Sequence, residues 1–142
     1  MPLRQSTLRL IAKAVIATAM IAALVACGDP KYQPPAIVVT FDPNFPPPAS
    51  INAGAYAGIA ADVANDTKNA GVTFSCTPAG DCGSFNPTGG GSAGPVCYQA
   101  PGTAPTGGTV TVTATSVTDP TKSIASAPIT ITSGPPGQSC EP

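Results

Sequence analysis

Five cysteines carry most of the reactive chemistry in this 142-residue chain, which has no histidine and no tryptophan. Cys27 stands at the end of an uncharged apolar run, while Cys76, Cys82, Cys97 and Cys140 lie in the second half. A metal site is a poor reading of those four. Zinc cysteines typically come about two to four residues apart within a pair, often with histidine. Five residues separate Cys76 from Cys82. A redox Cys-x-x-Cys pair is absent as well. An even number of cysteines in an oxidising compartment reads as disulfides. Four cysteines allow three pairings. Cys76–Cys82 and Cys97–Cys140 are favoured, because the first pair flanks a turn and the second pins the tail to a strand at Val96.

Cys27 has a different context. Arg4, Arg9 and Lys13 make a basic start, and Ala14 to Ala26 follows without a charge. Basic residues, a short apolar stretch and then small residues form a signal peptide. A membrane-spanning helix needs about 20 apolar residues, and the run is only 13 long. It ends in Leu24-Val25-Ala26-Cys27, which resembles the lipobox of bacterial lipoproteins. The resemblance implies cleavage before Cys27, diacylglycerol on its thiol, and fatty acylation such as palmitate on the new amino group. One acyl chain binds a membrane marginally, whereas two or more hold it stably. In enteric lipoproteins an aspartate after the cysteine favours the inner membrane, so Gly28 points to the outer membrane, on its periplasmic or surface-exposed face. Residues 1–26 are then a signal peptide. Residues 27–35 are the lipidated cysteine and a tether whose Pro30, Pro34 and Pro35 favour extended backbone.

Beyond residue 26, Lys31, Lys68 and Lys122 stand against seven acids, a net charge of −4, with no arginine. Nucleic-acid binding needs a basic footprint, so that class is excluded. Without histidine or arginine, the common general acid/base and the bidentate anion clamp are both missing. The acids are scattered singly through turn-like segments. The expectation is therefore a non-enzymatic protein with no cofactor and no metal. Asp62, Asn65, Asp66 and Asn69 share one turn and could supply oxygen ligands to calcium; Asp and Asn also simply favour turns, which is the preferred reading. Phe45 and Tyr56 could make a sugar-binding patch but read better as core or edge packing.

Periodicity supplies the elements that must position these groups. Ala36 to Phe41 alternates with Ile37, Val39 and Phe41 on one face. Pro43 and the Pro46-Pro47-Pro48 run end it, which suits a sheet edge. Ala55 to Val63 places Ala57, Ile59, Ala61 and Val63 together, with a short helix as the rival. Gly71 to Cys76 sets Val72, Phe74 and Cys76 against Thr73 and Ser75, Thr77 to Asp81 is a tight connection, and Cys82 to Phe85 returns. Asn86 to Pro95 is a Gly/Ser/Pro loop, and Val96 to Gln99 a short strand. Thr109 to Ser116 is the clearest strand, with Val110, Val112 and Ala114 inward and four threonines outward. Ser123 to Thr132 closes the domain with Ala125, Ala127, Ile129 and Ile131 on one face. Residues 133–142 form a tail. About seven short strands separated by turn signals predict an all-β sandwich.

Two blocks add a family likeness. Gly71 to Thr88 (GVTFSCTPAGDCGSFNPT) and Gly107 to Ser123 (GGTVTVTATSVTDPTKS), with Tyr98-Gln99-Ala100-Pro101 between them, resemble bacterial immunoglobulin-like modules of acidobacterial type. The resemblance covers residues 36–132. It implies an immunoglobulin-like β-sandwich serving as spacer, stalk or adhesion module. Phe74 stands where the family often has tryptophan, Cys97 and Cys140 look like additions, and the inter-sheet cysteine pair and tryptophan of antibody domains are lacking. The functional expectation is a lipid-anchored envelope protein for structure, adhesion or protein–protein interaction, held at a membrane, with an envelope protein or a glycan as partner. A carbohydrate-binding surface module is the alternative.

Overall fold

The computed structural model describes residues 33–87, 89–90, 94–137 and 140. The lipobox-like segment and Cys27 lie outside them. The chain divides into two compact units, Met1–Pro34 and Pro35–Pro142. The second unit is all β: among the described residues there is no helix, which settles the rival reading of residues 55–63. Its strands are β1 (Val38–Phe41), β2 (Ser50–Asn52), β3 (Tyr56–Ile59), β4 (Ala61–Ala64), β5 (Val72–Thr77), β6 (Ser84–Asn86), β7 (Gly89–Gly90), β8 (Val96–Gln99), β9 (Thr109–Ser116), β10 (Ser123–Ala125) and β11 (Ile129–Thr132).

Two layers pack face to face. One is the three-stranded sheet β3-β8-β6 and the other the sheet β2-β11-β9-β5-β7, with β10 also on β9; β1 and β4 form a separate two-stranded sheet. Every pairing is antiparallel except that of β2 with β11. From β1 to β9 each connection passes from one sheet to another, whereas β9, β10 and β11 share a sheet; the result is an all-β sandwich.

The core follows the period-2 pattern. Val39 on β1, Val72 and Phe74 on β5, Tyr98 on β8, Val110, Val112 and Ala114 on β9, and Ile129 and Ile131 on β11 are all buried. Successive strand residues face opposite sides, so each of these alternates with a polar or small neighbour. A short aromatic column links the layers. Phe74 of β5 stacks on Phe85 of β6 with ring centroids 5.6 Å apart. Phe85 in turn lies 5.1 Å from Tyr98, its cross-strand partner in the β6–β8 ladder.

Eleven strands replace the expected seven for two physical reasons. The expected strand at 55–63 splits at Ala60, whose N–H donates to Phe45 O at 2.9 Å and whose C=O accepts from Asp42 N at 3.0 Å. The loop after β1 therefore folds over this break, and Ala60 is buried although the alternation puts it outside. The expected strand at 123–132 splits around Ser126-Ala127-Pro128. Ala125 pairs with Thr113 but Ile129 with Val110, so the two registers differ by one residue. That one-residue bulge switches faces. Ile124, Ile129 and Ile131 turn inward, and Ala125 and Ala127 are exposed, contrary to the single face expected. The remaining two additions, β2 and β7, are too short to show a period.

The return from Cys82 to Phe85 is a crossing between sheets. It passes from β5 to the opposite sheet, where β6 pairs with β8.

Candidate functional site

The four described cysteines form two bonds, Cys76–Cys82 with Cα atoms 5.8 Å apart and Cys97–Cys140 with Cα atoms 5.7 Å apart. Cys76 ends near the edge of β5, and the chain must then leave that sheet for β6 within a few residues. The first disulfide spans this crossing. It holds the loop 77–83 over the end of β8, where the Tyr98 hydroxyl donates to Cys82 O at 2.6 Å. Tyr98 is fully buried and so needs that partner. Burial pushes its phenol up to about 12. Gly83 makes the approach feasible: its φ is +95°, and a Cβ there would strike the carbonyl oxygen of Gln99 and come within 3.1 Å of the Tyr98 ring.

The second disulfide works on the outside. After β11, the Asn52 side chain donates to Pro135 O at 3.2 Å, and Gly137 lies so close to Ala55 that an added Cβ would sit 3.1 Å from its side chain. Cys140 then joins Cys97 of β8. The tail of one sheet is thereby strapped to the other.

The crossing loop and the β8–β9 connection enclose an open groove of about 550 Å³. Its walls are Gly80, Asp81, Gly83 and Ser84 on one side and Gln99 to Thr106 on the other. The second wall is anchored: Ala100 N donates to Ala55 O at 2.8 Å, Gly54 N to Pro101 O at 2.9 Å, and Gly108 N to Pro105 O at 2.8 Å. Pro105 is buried beneath it. The lining mixes hydroxyl, amide and backbone groups with small apolar Ala and Pro side chains, and Asp81 is its only charged side chain. Sequence reading passed over this wall as an interval between two strands. Its available signal was a Pro/Gly/Thr segment longer than a hairpin turn, residues 100–108.

Strand polarity sets where the groove lies. The unit is entered at Pro35–Ile37, beside the start of β1, which pairs with the end of β4. The loops 65–71 and 117–122 sit at that same end, joined by the Val117 N to Gly71 O bond at 3.0 Å. The groove's loops, 78–83 and 100–108, follow strands that run the other way. Groove and entry are at opposite ends of the sandwich.

The other candidate residues do not converge. Asp66 spends both carboxylate oxygens internally, accepting from Lys68 N at 3.0 Å, Ala70 N at 2.8 Å, Gly71 N at 3.3 Å and the Thr118 hydroxyl at 2.7 Å. Asn65 donates its side-chain amide to Ala36 O at 2.8 Å. Asp62 is exposed on β4. Among the described residues no three or more His, Cys, Asp or Glu side chains gather. Phe45 is 42% exposed but rests over Gly58, and Tyr56 is half-buried on β3. Thr111, Thr113 and Thr115 are half-buried rather than free, because β9 lies between β5 and the β10/β11 pair. In comparisons with known proteins, no family model, curated protein or solved structure matches the chain.

Proposed function

We propose that this chain is a non-enzymatic bacterial lipoprotein whose immunoglobulin-like module acts by contact in the cell envelope, in structure, adhesion or protein–protein interaction. The observation that carries the reading is Leu24-Val25-Ala26-Cys27 after a basic and then apolar start. In this reading the fifth cysteine carries lipid and Gly28 after it favours the outer membrane, while the other four cysteines pair with one another. Two disulfides suit an oxidising compartment outside the cytoplasm. The absence of histidine, and of arginine after residue 26, supports a role without catalysis. The likeness to bacterial immunoglobulin-like modules supports the same role through the modules' usual duty as spacers and adhesion units. Chain entry and groove at opposite ends suit a module that stands on an anchor and presents its far end.

Labelling cells with a fatty-acid probe tests this. The wild-type chain is expected to take up label and the Cys27→Ser variant none. Equal labelling of the two would contradict the lipid anchor.

A further inference from the structure

We propose that the groove between loops 78–83 and 100–108 receives an extended, neutral-to-basic segment of a partner protein, which lies along the open edge of β6. The inference deepens the contact role proposed above and rests on it.

The edge is the first support. β6 pairs with β8 on one side, and among the described residues no strand covers its other side. An edge strand presents unpaired N–H and C=O groups that an incoming chain can pair with. Ser84, the first residue of β6, is itself part of the groove wall. A segment added along β6 therefore runs straight into the groove.

Lining chemistry is the second. Compact small-molecule sites are mostly apolar, whereas this groove offers Ser84, Gln99, Thr103 and Thr106 with a polar backbone. An extended peptide brings matching donors and acceptors at every residue. Gly80 and Gly102 have open space where a side chain would stand, so a second backbone can approach closely. No aromatic side chain lines the groove, which leaves a sugar ring no face to stack on.

Charge is the third. Asp81 is the only charge in the groove, while Lys68 and Lys122 belong to loops at the opposite end of the sandwich. A cationic segment is drawn to this end, a neutral one is tolerated and an acidic one is repelled. The walls are also set in advance by the Cys76–Cys82 bond and the Tyr98 hydrogen bond, so little ordering accompanies docking.

The test uses the detergent-solubilised full chain and fluorescent peptides of alternating threonine and valine, ended either by lysines or by glutamates. Two variants probe the groove. Asp81→Asn removes its charge. Gly102→Trp fills it from a position where an added Cβ meets nothing within 4 Å. Ser123→Trp, on exposed β10 at the other end, is the control, and thermal melts confirm that each variant is folded. Saturable binding of the lysine peptide is expected. It should weaken about tenfold in each groove variant, the scale of one charge-assisted contact, and stay unchanged in Ser123→Trp. No saturable binding, equal binding of the glutamate peptide, undiminished binding by Gly102→Trp, or displacement by a soluble oligosaccharide would overturn the proposal. The anchor is not measured here, so failure of this test leaves the lipoprotein reading to its own experiment.

Discussion

The carboxylate of Asp66 accepts three backbone N–H bonds and one hydroxyl bond. Through Thr118 it ties the loop before β5 to the loop after β9. The Thr118 hydroxyl, aided by the N–H groups of Ala70, Lys68 and Gly71, holds this carboxyl below the ordinary value of 3.8. A lowered folded value means that the native state favours the ionised form. Its contribution is present above the ordinary value and lost as pH falls through the folded one. Asp119 is held low in the same direction, by the Thr121 hydroxyl and amide and by Lys122. Urea titrations should therefore show wild-type stability falling below about pH 4, with a shallower fall in Asp66→Asn; identical acid profiles would refute this role. Tyr98 behaves oppositely. Its phenol is pushed up to about 12, so its contribution is complete below the ordinary value of 10.0 and lost as pH rises between them. Tyr98→Phe leaves Cys82 O without its buried donor. It should cost roughly 1–2 kcal/mol, measured by chemical denaturation.

At the scale of elements, the bulge between β10 and β11 shows what alternation can and cannot reveal. Ser126 N donates to Val112 O at 2.8 Å, and the Ser126 hydroxyl accepts from Val112 N at 3.1 Å while donating to Ala127 O. A side-chain hydroxyl thus takes the place of a ladder carbonyl as acceptor for Val112 N at the bulge. Ser126→Ala should cost about 1 kcal/mol with an unchanged urea slope; no loss would mean that water replaces the hydroxyl freely. Ile37, Val39, Phe41, Val72, Phe74 and the valines of β9 announce their faces because nothing interrupts their period of two. Ala60 and Ala125 mislead because bulges shift the phase, and a bulge is decided by partners far along the chain. The crossing from Cys76 to β6 was legible only as a turn. Which sheet receives the chain depends on Tyr98 and Phe85, residues of different strands meeting in the core. For the same reason the groove could not be read, since its walls come from two connections brought together only by the pairing of strands far apart in the chain.

For the molecule as a whole, the two disulfides divide the labour. Cys76–Cys82 fixes a local crossing, with Cys82 buried. Cys97–Cys140 closes a loop of 43 residues and clamps the last segment across the sandwich, an external counterpart to the buried inter-sheet bond that this fold lacks. By the chain-entropy relation, removing the short staple costs about 2 kcal/mol and the long one about 4. Cys140→Ser should therefore melt lower than Cys82→Ser. It should also expose residues 133–140 to limited proteolysis, while an unchanged cleavage pattern would contradict the clamp. A rigid sandwich entered at one end and grooved at the other gains meaning from what holds it. That claim rests on Cys27. Intact mass measurement of the chain purified from membranes tests it most directly. The account predicts a protein that begins at Cys27 and carries diacylglycerol and fatty-acid mass on that residue. A protein that begins at Met1, or one with an unmodified Cys27, would contradict it.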